Sequence, residues 1–125
     1  MVNDSIKITG DVKIDIIGAD GSIKDSREIK NLVVTSGKTF IASRMVGTSA
    51  TVMGWMELGT GTTAAAVGDT ALQTAIAGSR VALTSGTSAT NVVTYVASFP
   101  AGTGTGAVTE AGVFNASSEI GRAHV

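Results

Sequence analysis

The chain has no cysteine, one proline, one histidine and one tryptophan in 125 residues, and aromatic residues make up 4% of it. Without cysteine there is no disulfide framework, no thiolate nucleophile and no cysteine-held metal. The single histidine, His124, stands second from the end, so the body of the chain offers no imidazole base or histidine metal cluster. No metal site and no cofactor is expected. No apolar run approaches the roughly 20 residues of a membrane-crossing helix, and no membrane partner is expected. A net charge of −1 gives no electrostatic footprint for nucleic acid. Met1-Val2-Asn3-Asp4 lacks the basic and apolar regions of a secretory leader. Most enzyme classes are short of parts.

What the chain does have is small residues. Glycine (16), threonine (17) and serine (12) account for 45 positions. Charge is confined to the start, with 7 basic and 6 acidic residues from Met1 to Arg44. From Met45 to Ser118 there are four charges: Glu57, Asp69, Arg80 and Glu110. Such a neutral stretch with regular apolar positions reads as sheet that faces other protein on more than one side, which implies assembly.

Ile6, Ile8, Val12, Ile14 and Ile16 alternate with Lys7, Thr9, Asp11, Lys13 and Asp15, the period of a strand with one buried face. Asp20-Gly21 suits a type I′ turn, and the chain returns through Ile23 and Ile29 to Leu32-Val33-Val34. This predicts a charged hairpin over 1–34. Thr35 or Ser36 can cap a short helix from Gly37 to Val46, ended by Gly47, within 35–47. Phe40, Ile41 and Met45 would pin it to the hairpin. Gly37-Lys38-Thr39 echoes a phosphate-binding loop, but the position that needs the leading glycine is Leu32. Lys38 is therefore read as a solvated helix residue.

Residues 52–118 form the neutral β part. Val52 to Leu58, carrying Trp55, reads as a strand, followed by a glycine-threonine loop. Asp69 would cap a helical turn reaching Ala77. Arg80 to Thr84 and Thr90 to Phe99 would form a second hairpin around Ser85–Ala89. Val93, Tyr95, Ala97 and Phe99 share one face of its second strand, and Val92 and Val96 the other. That strand is either buried on both sides or a subunit contact. Val92, Val93, Tyr95, Val96 and Phe99 are thus the candidate contact residues. A last strand is predicted over Ala107 to Asn115. The whole reads as mostly β, an antiparallel sandwich or partly open barrel with an N-terminal β-hairpin and one or two short helices.

Several segments carry a family resemblance: Asn31-Leu32-Val33-Val34-Thr35-Ser36-Gly37-Lys38, Leu58-Gly59-Thr60-Gly61-Thr62-Thr63, Gly68-Asp69-Thr70-Ala71-Leu72, Ser79-Arg80-Val81-Ala82-Leu83-Thr84, Phe99-Pro100-Ala101-Gly102 and Thr109-Glu110-Ala111-Gly112-Val113-Phe114-Asn115. In this order and spacing they resemble a family of tailed-bacteriophage virion proteins, tail-fibre-like or head-decoration proteins, from about Ile6 to Ser118. The resemblance implies a small β-rich subunit that catalyses nothing and is made in the bacterial host cytoplasm. It would assemble on the virion with itself, preferably as a trimer, and with other virion proteins.

The end of the chain departs from that pattern. Glu119–Val125 back-translates as GAG-ATC-GGA-AGA-GCA-CAC-GTC, which from its second base reads as a common short-read sequencing adapter. Residues 1–118 are therefore expected to be the native domain and 119–125 adapter read-through, with His124 not native. Two other function classes are open to the residues. A carbohydrate- or receptor-binding module could stack Trp55 and Tyr95 on the sugars of a host surface glycan. An enzyme would need serine with lysine, threonine with a free amine, or the paired carboxylates Glu57 and Glu110. Each glutamate is more simply a strand-end residue bonded to a threonine or a backbone N–H.

Overall fold

The structure is a computed structural model that describes residues 5–47 and 51–117. The expected boundary at Ser118 and the segment 119–125 lie outside these residues. The fold is mostly β, with one helix among the described residues. Its elements are β1 (Gly10–Ile17), β2 (Ile23–Asn31), α1 (Thr35–Met45), β3 (Trp55–Gly59), β4 (Val81–Ala82), β5 (Ser85–Ala89), β6 (Val92–Val96) and β7 (Glu110–Phe114). They make three small antiparallel sheets: the hairpins β1–β2 and β5–β6, and a three-stranded sheet in the order β4-β3-β7. No closed barrel forms among the described residues.

The first hairpin keeps the predicted alternation only in part, since Ile6 and Ile16 of the expected buried face are exposed. Val12 and Ile14 are half-buried while Asp11, Lys13 and Asp15 are exposed. The charged face is a cross-strand ladder: Lys30 Nζ lies 2.6 Å from Asp11, Ser26 Oγ donates to Asp15 at 2.6 Å, and Lys13 faces Glu28. Opposite charges set across from each other in this way support the pairing. The turn differs from the expected type I′. Gly21 alone takes a left-handed φ, at 84°. Gly21 N–H donates to Gly18 O and Gly18 N–H to Ser22 O, so Ala19-Asp20-Gly21 is a three-residue loop. Asp20 Oδ1 accepts from both Ser22 Oγ and Ser22 N–H, and these bonds hold its carboxyl below the usual range.

Val33 and Val34 leave the hairpin and enter the core, which they share with Met53, Leu58, Val113 and Phe114. The helix begins at Thr35, two residues before the expected start at Gly37. Val34 takes the cap position and no side chain bonds there, while Gly47 ends the helix with φ 74° as expected. Phe40 packs on the Met53–Val113 cluster rather than on the hairpin, and Met45 is exposed. Lys38 is exposed, as read from sequence, and Gly37 is buried in the first turn.

No helical turn forms over Asp69–Ala77. Instead this segment continues the edge of β3 where the short β4 leaves off. Thr60 N–H donates to Thr74 O, Ile76 N–H to Leu58 O, and Ala75 bridges to Gly59. Asp69 reaches backwards, accepting from Ala66 N–H at 2.9 Å. The backbone groups that a helix would use are already committed to the sheet.

The second hairpin also turns elsewhere than predicted. Ser85–Ala89 is itself a strand paired with Val92–Val96, and the chain reverses at Thr90-Asn91. Thr90 has φ 56°, a left-handed conformation that is costly for a β-branched residue. Gly86 lies opposite Tyr95, and a Cβ there would stand 3.4 Å from the ring. The glycine is a seat for an aromatic ring, not a turn residue.

Candidate functional site

The four charges of the neutral half are all committed to structure. Glu57 on β3 and Arg80 before β4 are both nearly dry, each side chain 8% exposed. Arg80 grips the carboxylate with two bonds, Nη2 to Oε1 at 2.9 Å and Nε to Oε2 at 3.2 Å. It also donates to Ala116 O and lies 3.9 Å from the Phe114 ring centroid. This planar fork suits guanidinium and carboxylate. Beside it, Ser79, with no exposed surface, donates its hydroxyl to Leu58 O and accepts from Leu58 N–H.

Glu110, the first residue of β7, gathers two loops. Its carboxylate accepts N–H bonds from Gly61 at 3.0 Å, Gln73 at 2.9 Å and Thr74 at 3.1 Å. Thr109 Oγ1 adds a bond to Gly61 O at 2.6 Å. A Cβ at Gly61 would stand 2.5 Å from Glu110 Oε1, so a side chain there would push the carboxylate off its amides. Glu57 and Glu110 do sit on neighbouring paired strands, but one carboxylate is held by a guanidinium and the other by backbone amides. The expected strand-end residue bonded to backbone N–H groups is found at Glu110, whereas Glu57 lies inside β3 and is bonded to the Arg80 guanidinium.

The cleft between the hairpin base and these loops is lined by Asn31, Leu32, Thr63, Asp69 and Glu110 among others, and holds about 140 Å³. That is well under the roughly 300–1,000 Å³ of ordinary small-molecule sites. Among the described residues there is no cluster of three or more metal-ligating side chains. No helix among them is long and apolar enough to cross a membrane.

The candidate contact strand divides in two. Tyr95 and Phe99 are half-buried; Tyr95 packs on the Met53–Val113 cluster, and burial pushes its phenol above the ordinary value. Val92, Val93 and Val96 stand exposed at 58%, 57% and 45%. The period-2 reading holds from Tyr95 to Phe99, but β6 is not buried on both sides by its own chain. Val93 escapes because the hairpin tip, where it faces Ser88, projects past the core. Trp55 is half-buried at the start of the central strand, between Ala82 and Phe114.

Sequence reasoning missed the Glu57–Arg80 clamp and, at Glu110, that the amides come from the distant loops of Gly61 and Gln73-Thr74. The available signal was scarcity: four charges in an otherwise neutral stretch need partners more urgently than charges on a wet surface do. Comparison with family models, curated proteins and solved structures finds no match to this chain.

Proposed function

We propose that the chain is a non-enzymatic structural subunit of a tailed-bacteriophage virion, a tail-fibre/adaptor or capsid-decoration protein that assembles with itself through β-sheet contacts. The observation that carries the assembly reading is the β5–β6 hairpin, a two-stranded sheet in which Val92 and Val96 on one face and Val93 on the other are all exposed. An isolated two-stranded hairpin is marginal in water, and clustered exposed valines mark a contact. The virion assignment rests on the sequence resemblance given above.

Light scattering across a dilution series tests this reading. The full chain is expected as a stable oligomer in which β6 joins the chains, preferably in threes, and Val92→Thr/Val93→Thr/Val96→Thr is expected to lose that β6-joined unit with its fold intact. A parent chain that is monomeric throughout, or a triple variant with unchanged mass, would overturn the proposed contact.

A further inference from the structure

β2 is an edge strand. β1 covers one side of it, no described strand covers the other, and Ile23 to Lys30 are all exposed. Its sequence is inverted about Ser26. Ile23-Lys24-Asp25-Ser26-Arg27-Glu28-Ile29 runs apolar, plus, minus, serine, plus, minus, apolar. Laid antiparallel against itself across a two-fold axis at Ser26, this strand sets Lys24 against Glu28, Asp25 against Arg27 and Ile23 against Ile29, each pair twice. Slipping the register by one residue puts Lys24 against Arg27, or Asp25 against Glu28, and like charges then repel. Charges on an edge strand ordinarily block pairing. Here their order blocks the wrong registers and favours one.

The intrachain ladder extends the match. Val12 faces Ile29 and Ile17 faces Ile23, so the joined sheet would carry an unbroken apolar row Val12–Ile29–Ile23–Ile17 across four strands. Lys13 faces Glu28, which would in turn face the second copy's Lys24, a row alternating in sign. At the centre, Ser26 N–H is held by the carboxylate of Asp25 at 3.0 Å. Asp25 also holds Arg27 at 3.3 Å. A second copy's Ser26 carbonyl can replace the first bond, and its Arg27 the second.

We infer that β2 pairs with β2 of a second copy, antiparallel and centred on Ser26, joining two hairpins into one four-stranded sheet. This contact stands on the strand's own charge order. It uses neither β6 nor the virion assignment.

The test is made on the full chain carrying the three β6 threonines, so that only the β2 contact is read. That chain is expected to show the mass of two copies. Lys24 has no partner on β1, because the ladder skips it at the bulge, so Lys24→Glu spares the intrachain pairs. It turns both Lys24–Glu28 contacts repulsive and is expected to weaken the dimer about tenfold or more. Glu28→Lys alone should do the same. Mixing the two variants restores Glu–Lys at both contacts and should restore the two-chain mass. Far-UV circular dichroism checks each fold. If Glu28→Lys alters it, Lys24→Glu alone decides between pairing and no pairing. A monomeric chain before these changes, a Lys24→Glu dimer as tight as its parent, or folded variants that fail to combine would overturn the pairing.

Discussion

Arg80 is placed where its loss has a definite cost. With both side chains 8% exposed, removing the guanidinium leaves Glu57 charged, buried and without its fork partner. Breaking one side of a buried pair costs roughly 3–5 kcal/mol. Arg80→Met is therefore expected to lower the unfolding free energy by about that amount in a urea titration. Adding Glu57→Leu should recover much of the loss, since an apolar pair of similar volume is often neutral. A single-variant loss under about 1 kcal/mol would mean that water reaches the pair. Glu57 and Arg80 were visible in the sequence only as two of four isolated charges. Their pairing joins positions 23 apart, and no local pattern encodes such a contact.

The two hairpins show what alternation decides and what it leaves open. In β1 the side-chain period fixes which residues share a face, and the structure keeps it over residues 11–15. In β6 the same period turns Tyr95 inward, yet Val93 is exposed because the strand outruns the core. The turns were less legible. Ser85-Gly86 carries strong turn residues, but Gly86 is used to seat the Tyr95 ring, and the reversal falls on Thr90-Asn91 against local preference. Tyr95 offers a direct readout of this element. As the only tyrosine, it alone supplies phenolate absorbance, and its midpoint is expected above the ordinary 10.0. Burial favours the neutral phenol, so the hairpin's contribution is complete below the unfolded-state value and is lost as pH rises through the folded one. A midpoint at or below the free phenol value would place Tyr95 in water and not on the core cluster.

At the scale of the molecule, six large hydrophobics are buried and thirteen exposed among the described residues. Seven of the thirteen fall in the two hairpins. Val92, Val93 and Val96 share one hairpin, and Ile16, Ile17, Ile23 and Ile29 share the other. The two proposed contacts thus fall one on each hairpin, at positions that different variants can address. Deleting residues 1–31 separates them. The deletion stops there because Val33 and Val34 are buried in the core. If the charged N-terminal hairpin is the element that docks on the virion and the neutral half forms the contacts between subunits, the shortened chain keeps the β6-dependent oligomer and loses attachment to virions in a co-sedimentation assay. Loss of both would count against a docking role for the hairpin.

The sequence by itself determined the class and the alternation: mostly β, a charged hairpin first, one helix ended by Gly47, and a neutral half of short strands. These depend on period, turn residues and charge, all local quantities. Tertiary structure decided how the neutral half closes. Residues 69–77 could have coiled into a helical turn, but β3 and Glu110 had unfilled hydrogen-bonding positions at that edge. The segment extended to fill them, since a buried backbone group without a partner costs more than a short helix gains.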